Sequence, residues 1–224
     1  MDNTKCWMKE RCNQRDCNGF CMKYFKINSL YEYSLIPYSN RKHINLQVDG
    51  DGTDGDVFDQ LVSIQNNIVD FVTMGKSLFM YSNIPGNGKS SWSLRMAESY
   101  INKIWAKSTL DCKVLFISVP RFLLELKDNI SKTSEYITHI KKYVLTCDLV
   151  IWDDIATKFG TEFEISHLLS MIETRISSGK ANIYTSNLCG NELCKALGDR
   201  LYSRIVHNSD YVFEFRGRDK RGIK

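Results

Sequence analysis

Apolar positions between residues 57 and 215 alternate between two spacings. Phe58, Leu61, Ile64 or Ile68, and Val72 recur at the interval of one helix face, and Gly75 offers a stop. Ser77–Tyr81 then reads as a short strand, Lys89–Trp105 as a helix and Val114–Val119 as a buried strand. Pro120 suits a first helical turn and opens a helix to about Ile130; Ser134–Val144 forms another. Leu149–Trp152 reads as a strand, Glu162–Ser177 as a helix closed by Gly179, and Asn182–Thr185 as a strand. Asn191–Ile205 is a last helix and Tyr211–Phe215 a last strand. Five strands alternating with helices predict an α/β domain on a parallel sheet.

Ahead of residue 57 the pattern changes. Residues 1–48 form a cysteine-rich segment, 49–56 a Gly/Asp linker, and 57–224 the main domain. The linker has the look of a calcium loop, but Asp54 falls where that loop needs Gly and Gln60 where it needs a bidentate Glu. A chain of 224 residues holds one α/β core and a small appendage. With 43% hydrophobic and 25% charged residues it has the composition of a soluble protein. No apolar run approaches the ~20 residues of a membrane span, and Met1–Arg15 is polar, unlike a signal peptide. The expectation is a cytoplasmic protein without membrane contact. A net charge of +4 permits nucleic-acid contact without demanding it.

Chemistry enters where strand meets helix. A phosphate cradle needs backbone N–H groups turned toward an anion, a lysine at the helix start and a hydroxyl for magnesium. The run Asn83-Ile84-Pro85-Gly86-Asn87-Gly88-Lys89-Ser90, followed by Ser91, supplies these between a strand and a helix whose positive dipole end faces the phosphates. Asn83 stands where the pattern has its first glycine, and asparagine tolerates positive φ better than most residues. Four apolar residues then lead into Asp153-Asp154: Asp153 as the magnesium-side acid, Asp154 as the base that orients or activates water. Asn187, after the Asn182–Thr185 strand, is placed to reach the γ-phosphate or that water, or else simply caps the next helix. Arg200 and Arg204, four apart, share a helix face, either solvated or offered to a neighbour's nucleotide.

In this order the motifs resemble those of an AAA+ ATPase, and the set looks like the DnaC-type helicase loaders and their IstB-type transposition relatives. The whole chain resembles phage or prophage loaders with a cysteine-rich N-terminal segment. The resemblance implies a P-loop AAA+ core with a five-stranded parallel sheet, ATP and Mg²⁺ as cofactors, and Lys89 and Ser90 at phosphate and magnesium. It implies Asp153 as the Walker B acid, Asn187 as sensor 1 and Arg204 as an arginine finger acting across a subunit interface, with Arg200 as the alternative. Arg221 matches a sensor 2 position, and with the sequence closing three residues later no helical lid domain is expected. Asp154 stands where the family more often has Glu. One methylene less puts the water ~1 Å out of reach, and such misplacement costs ~100-fold.

Cys6, Cys12, Cys17 and Cys21 are compact enough for one Cys₄ site, zinc first and an iron–sulfur cluster second, although the gaps are irregular. Basic and aromatic residues around them, Trp7, Lys9, Arg11 and Tyr24 among others, suit single-stranded DNA or a helicase surface. A second DNA candidate is the helix from Pro120, with Arg121 and Lys127 outward and Phe122, Leu123 and Leu126 inward. The expected function is ATP-dependent loading of a DnaB-type replicative helicase onto single-stranded DNA in a bacterial host cytoplasm, by a chain that self-assembles when ATP-bound. The alternatives are an IstB-like transposition regulator and a non-hydrolysing helicase-binding protein.

Overall fold

The structure is a computed structural model that describes residues 6–8, 12, 21–41, 46, 52–128, 134–156 and 161–220. Five strands, β1 (Ser77–Tyr81), β2 (Val114–Ser118), β3 (Leu149–Asp153), β4 (Ala181–Ser186) and β5 (Tyr211–Glu214), form one sheet in the order β2-β3-β4-β1-β5. Every pairing is parallel: Leu78 lies beside Ile183 and Tyr211, Val114 beside Leu149, and Ile151 beside Ile183. The strands are almost continuously apolar because helices cover both faces. Alternate strand residues point to opposite faces. Leu78, Met80, Val114, Phe116, Leu149 and Ile151 join one hydrophobic cluster, and Phe79, Leu115, Ile117, Val150 and Trp152 join the other.

The first face is covered by α1 (Met22–Tyr33), α2 (Gly55–Asn66), α3 (Ile68–Thr73) and α4 (Lys89–Ile104). The second carries α5 (Val119–Asp128), α6 (Glu135–Tyr143), α7 (Glu162–Ser177) and α8 (Gly190–Tyr202), the last running into a π-helical turn at Ser203–His207. The α7 N-terminus is closed by a reciprocal capping box between Thr161 and Glu164. None of these helices is long and apolar enough to cross a membrane, among the described residues.

Three sequence expectations change. The helix expected through Val72 breaks at Asn67, whose side chain donates to the Ser63 carbonyl at 3.0 Å, a local bond that competes with helix continuation. The helix expected over Asn191–Ile205 kinks at Gly198, where φ is +74°. The stretch expected to be a linker contributes Gly55 and Asp56 to α2.

Within residues 1–48 the structure adds a helix absent from the sequence reading. Ile27, Leu30 and Tyr31 of α1 are buried in the same cluster as the sheet, and Trp7 packs its ring edge-on to Tyr31 at 5.4 Å. Where α1 ends, the Ser34 carbonyl accepts the Phe116 N–H at 2.8 Å, pairing the outer edge of β2. Arg41 then clasps the helix, donating to Glu32 at 2.6 Å beneath the rings of Tyr31 and Tyr38.

Two features fix the end of the sheet where strands begin. A Cβ on Gly75 would meet the Gly179 carbonyl oxygen at 2.2 Å, so the turn after α3 abuts the turn after α7 with no room for a side chain. Beside it, Arg175 of α7 is fully buried and donates to the carbonyls of Val144, Cys147 and Ala181 at 2.6, 3.1 and 2.6 Å, and to Asn182 Oδ1 at 2.8 Å.

Candidate nucleotide site

The opposite end of the sheet, where strands finish, carries the sequence motifs. Residues 82–88 link β1 to α4, and Gly86 and Gly88 take φ of +76° and +108°, conformations that suit glycine and turn successive N–H groups one way. Asn83 is exposed and is not among the positive-φ residues, so its tolerance of that conformation is not used. Its Oδ1 instead lies 3.2 Å from the Cys189 thiol, tying the loop to the segment after β4. Pro85 is exposed, and Ser91 lies in the first turn of α4.

Side chains brace the loop from within. Ser82 Oγ accepts from the Ile84 N–H at 3.0 Å and from Asn87 Nδ2 at 2.7 Å. Asn87 Nδ2 also donates to the Phe215 carbonyl at 3.4 Å, while its Oδ1 accepts from Lys89 Nζ at 3.0 Å. The Lys89 ammonium, only 4% exposed, also donates to the Ile84 carbonyl at 3.2 Å. The loop is thus pre-shaped around a buried cation.

Asp153 and Asp154 project from the end of β3, and one residue connects them. Thr185 Oγ1 donates to Asp153 Oδ1 at 2.8 Å and accepts from the Asp154 N–H at 2.9 Å. Burial pushes the Asp153 carboxyl above its ordinary value, against hydrogen bonds from Ser90 and Thr185 and the charge of Lys89. The Ser90 hydroxyl and the Asp153 carboxylate therefore touch. Two hard oxygen donors fit magnesium, which takes one or two protein ligands beside phosphate and water. Asp154 holds φ at +54°, a region aspartate tolerates, and Asn187 Nδ2 donates to its Oδ1 at 2.7 Å. Asn187, which the sequence placed at the γ-phosphate, the water or a helix cap, is thus joined to Asp154.

Thr185, which bridges the two acids, is the residue the sequence reading passed over. Nothing singled it out in the sequence, because its strand also carries Asn182, Tyr184 and Ser186. The arginines hold a different arrangement: Arg204 Nε and Arg200 Nη2 converge on Glu173 Oε1 at 2.9 and 3.5 Å, and these bonds hold the Glu173 carboxyl below its usual range.

Arg221 and Cys17 lie outside the described residues. Of the other cysteines in the cluster, Cys6 and Cys12 carry free thiols, and Cys21 caps α1, its sulfur accepting the Tyr24 N–H at 3.4 Å. Among the described residues no group of three or more His, Cys, Asp or Glu gathers to hold a metal, so zinc gains no support there. On α5, Phe122 and Leu126 are buried as expected. Arg121 bonds Glu125 at 2.6 Å and stacks over Tyr136, and Lys127 pairs with Glu164 at 3.0 Å.

No family model matches the chain, and no curated protein sequence matches it. Solved structures do. DnaI superposes with a TM-score of 0.61 at 17% identity, over 81% of this chain and 95% of that one. A putative primosome component from Streptococcus pyogenes serotype M3 gives 0.60 at 22%, over 86% and 98%. The DnaC helicase loader gives 0.53 at 19%, over 67% and 86%. At these identities the likeness establishes the fold alone, a five-stranded parallel sheet between two layers of helices.

Proposed function

We propose that the chain is an ATPase of the helicase-loader kind, which places a hexameric DnaB-type helicase on single-stranded DNA during replication. The observation that carries this is the chain of contacts Ser90–Asp153–Thr185–Asp154–Asn187 beside a pre-shaped phosphate loop, within a fold shared with a solved helicase loader. Lys89 and the loop N–H groups bind the outer phosphates of ATP. Ser90 and Asp153 hold Mg²⁺, which neutralises phosphate charge when bound. Asp154, oriented by Asn187 and Thr185, takes the water proton. Arg204, exchanging Glu173 for a neighbouring subunit's γ-phosphate, serves as the finger of an ATP-bound homo-oligomer, and Arg221 is the sensor 2 candidate.

The short carboxylate of Asp154 makes slow turnover part of the reading. The N-terminal residues up to 48, of phage or prophage type, form the helicase-docking part in the host cytoplasm; the described Cys6, Cys12 and Cys21 do not gather, so no zinc is assigned to them. Arg121 and Lys127 contact DNA by exchanging acid partners for phosphates.

ATP turnover with and without single-stranded DNA, for wild type and Lys89→Ala, tests the enzyme claim. We expect at least a ~100-fold loss in the variant; turnover that does not depend on the lysine sinks it. Isolation of the chain with ATP present should recover a helicase. A transposase in its place would favour the IstB-like alternative.

A further inference from the structure

The turn ahead of α2 and the segment after β5 form one hydrogen-bonded unit that reaches the phosphate loop. Asp54 stands at the N-cap of α2 with φ +66°, yet its side chain makes no bond to its own helix. The carboxylate instead accepts two backbone N–H groups from the far end of the sequence. Arg216 N lies 2.9 and 3.1 Å from its two oxygens, and Gly217 N lies 2.8 Å from Oδ2.

The segment that Asp54 grips meets the phosphate loop on both sides of the grip. The Phe215 carbonyl accepts from Asn87 Nδ2 at 3.4 Å, and the Lys220 N–H donates to the Gly86 carbonyl at 3.0 Å. The second contact uses a carbonyl, the group a phosphate cradle turns away from its anion. Residues 215–220 therefore brace the outer side of the loop and leave its N–H groups for phosphate. A cleft of about 520 Å³ runs alongside, lined by residues 52–57, Val212–Glu214 and Arg216.

We propose that Asp54 is a positioning residue for nucleotide binding, holding the phosphate loop in its anion-ready shape through the strap 215–220. The inference deepens the nucleotide-binding reading and rests on it. A capping aspartate would serve α2, and this one does not. A glycine would take the same backbone conformation without strain, so what aspartate adds at position 54 is the carboxylate.

That last point supplies the test. Asp54→Gly removes the carboxylate and keeps the backbone; Asp54→Asn keeps one acceptor oxygen. ATP affinity by calorimetry, KM and kcat from turnover, and the thermal midpoint are measured on the full chain with Mg²⁺ present. The expected result for Asp54→Gly is affinity weakened about tenfold, KM raised to match, and kcat at saturation within about twofold of wild type. Asp54→Asn should recover most of the affinity. Wild-type affinity in Asp54→Gly overturns the proposal. So does a lowered thermal midpoint with unchanged KM, which marks a purely structural anchor. Lys89→Ala is measured alongside: if it binds ATP as tightly as wild type, the nucleotide site itself is misplaced and both readings fall, whereas lysine-dependent binding with no Asp54 effect sinks only the strap.

Discussion

The sheet carries a buried cation near each end, and the two are held by different means. Where strands begin, Arg175 is fully buried, and its guanidinium donates to oxygens of Val144, Cys147, Asp148, Ala181 and Asn182, from the end of α6, the approach to β3 and the start of β4. Where strands end, Lys89 is almost as buried, but Ile84 O and Asn87 Oδ1, both in the phosphate loop, accept its protons. A guanidinium presents a rigid fork of donors, and here the fork ties the stretch 144–148 to the start of β4, more than thirty residues later. An ammonium on a flexible stem exchanges acceptors by rotation. The first arrangement is permanent structure, and under the proposed function the second is the charge that an incoming phosphate takes over.

The largest expected effect tests the permanent half. Arg175→Met fills the space but takes the guanidinium's donors from the buried carbonyls of Val144, Cys147 and Ala181, and should cost about 3–5 kcal/mol of stability by urea unfolding. A cost below about 1 kcal/mol would remove the distinction between the two ends.

A smaller effect of opposite sign is expected at Asp153. Its folded pKa is raised by burial above that of the unfolded chain, so the ionised group is penalised by folding at neutral pH. The favourable contribution is complete below the unfolded pKa and is lost as pH rises through the raised folded value. Asp153→Asn is therefore expected to raise the thermal midpoint at pH 7 and, under the proposed function, to abolish magnesium-dependent turnover, and the gain vanishes when scans are run at acid pH. An unchanged or lowered midpoint at pH 7 would show that the acid is paid for locally.

The smallest expected effect is that of Lys89→Met on stability. Because its acceptors Ile84 and Asn87 both lie in the short loop just ahead of α4, the midpoint in urea should move by no more than about 1 kcal/mol. A loss as large as that of Arg175→Met would make Lys89 a structural cation too.

These two ends were unequally legible in the sequence. Lys89 announced itself because a phosphate loop is a local object: its glycines, lysine and hydroxyl lie within eight residues and fold against one another. Asp153 and Asp154 were visible for a related reason, since an apolar strand ending in two acids needs no distant partner to be noticed. Arg175 sits in Glu173-Thr174-Arg175, which has the polarity of an ordinary solvated helix face, and only the return of α6, β3 and β4 buries it. Thr185 escaped because its two partners come from another strand. The helix α1 escaped because the cysteine spacing drew attention to metal chemistry. Its few apolar residues, Ile27, Leu30 and Tyr31, acquire meaning only beside the sheet. The turn holding Asp54 looked like a linker because the N–H groups it serves, those of Arg216 and Gly217, lie at the other end of the chain.

The bond from Phe116 N–H to the Ser34 carbonyl has a consequence for solubility. An outermost strand offers a row of backbone donors and acceptors to any passing chain, and β2 is outermost on its side of the sheet. The turn after α1 occupies part of that row, and α1 covers the oily face behind it. A protein trimmed to residues 57–224 would lose both protections and present a sticky seam, ready to zip onto its own kind. The first helix thus acts as a hem that keeps the sheet from fraying into aggregates.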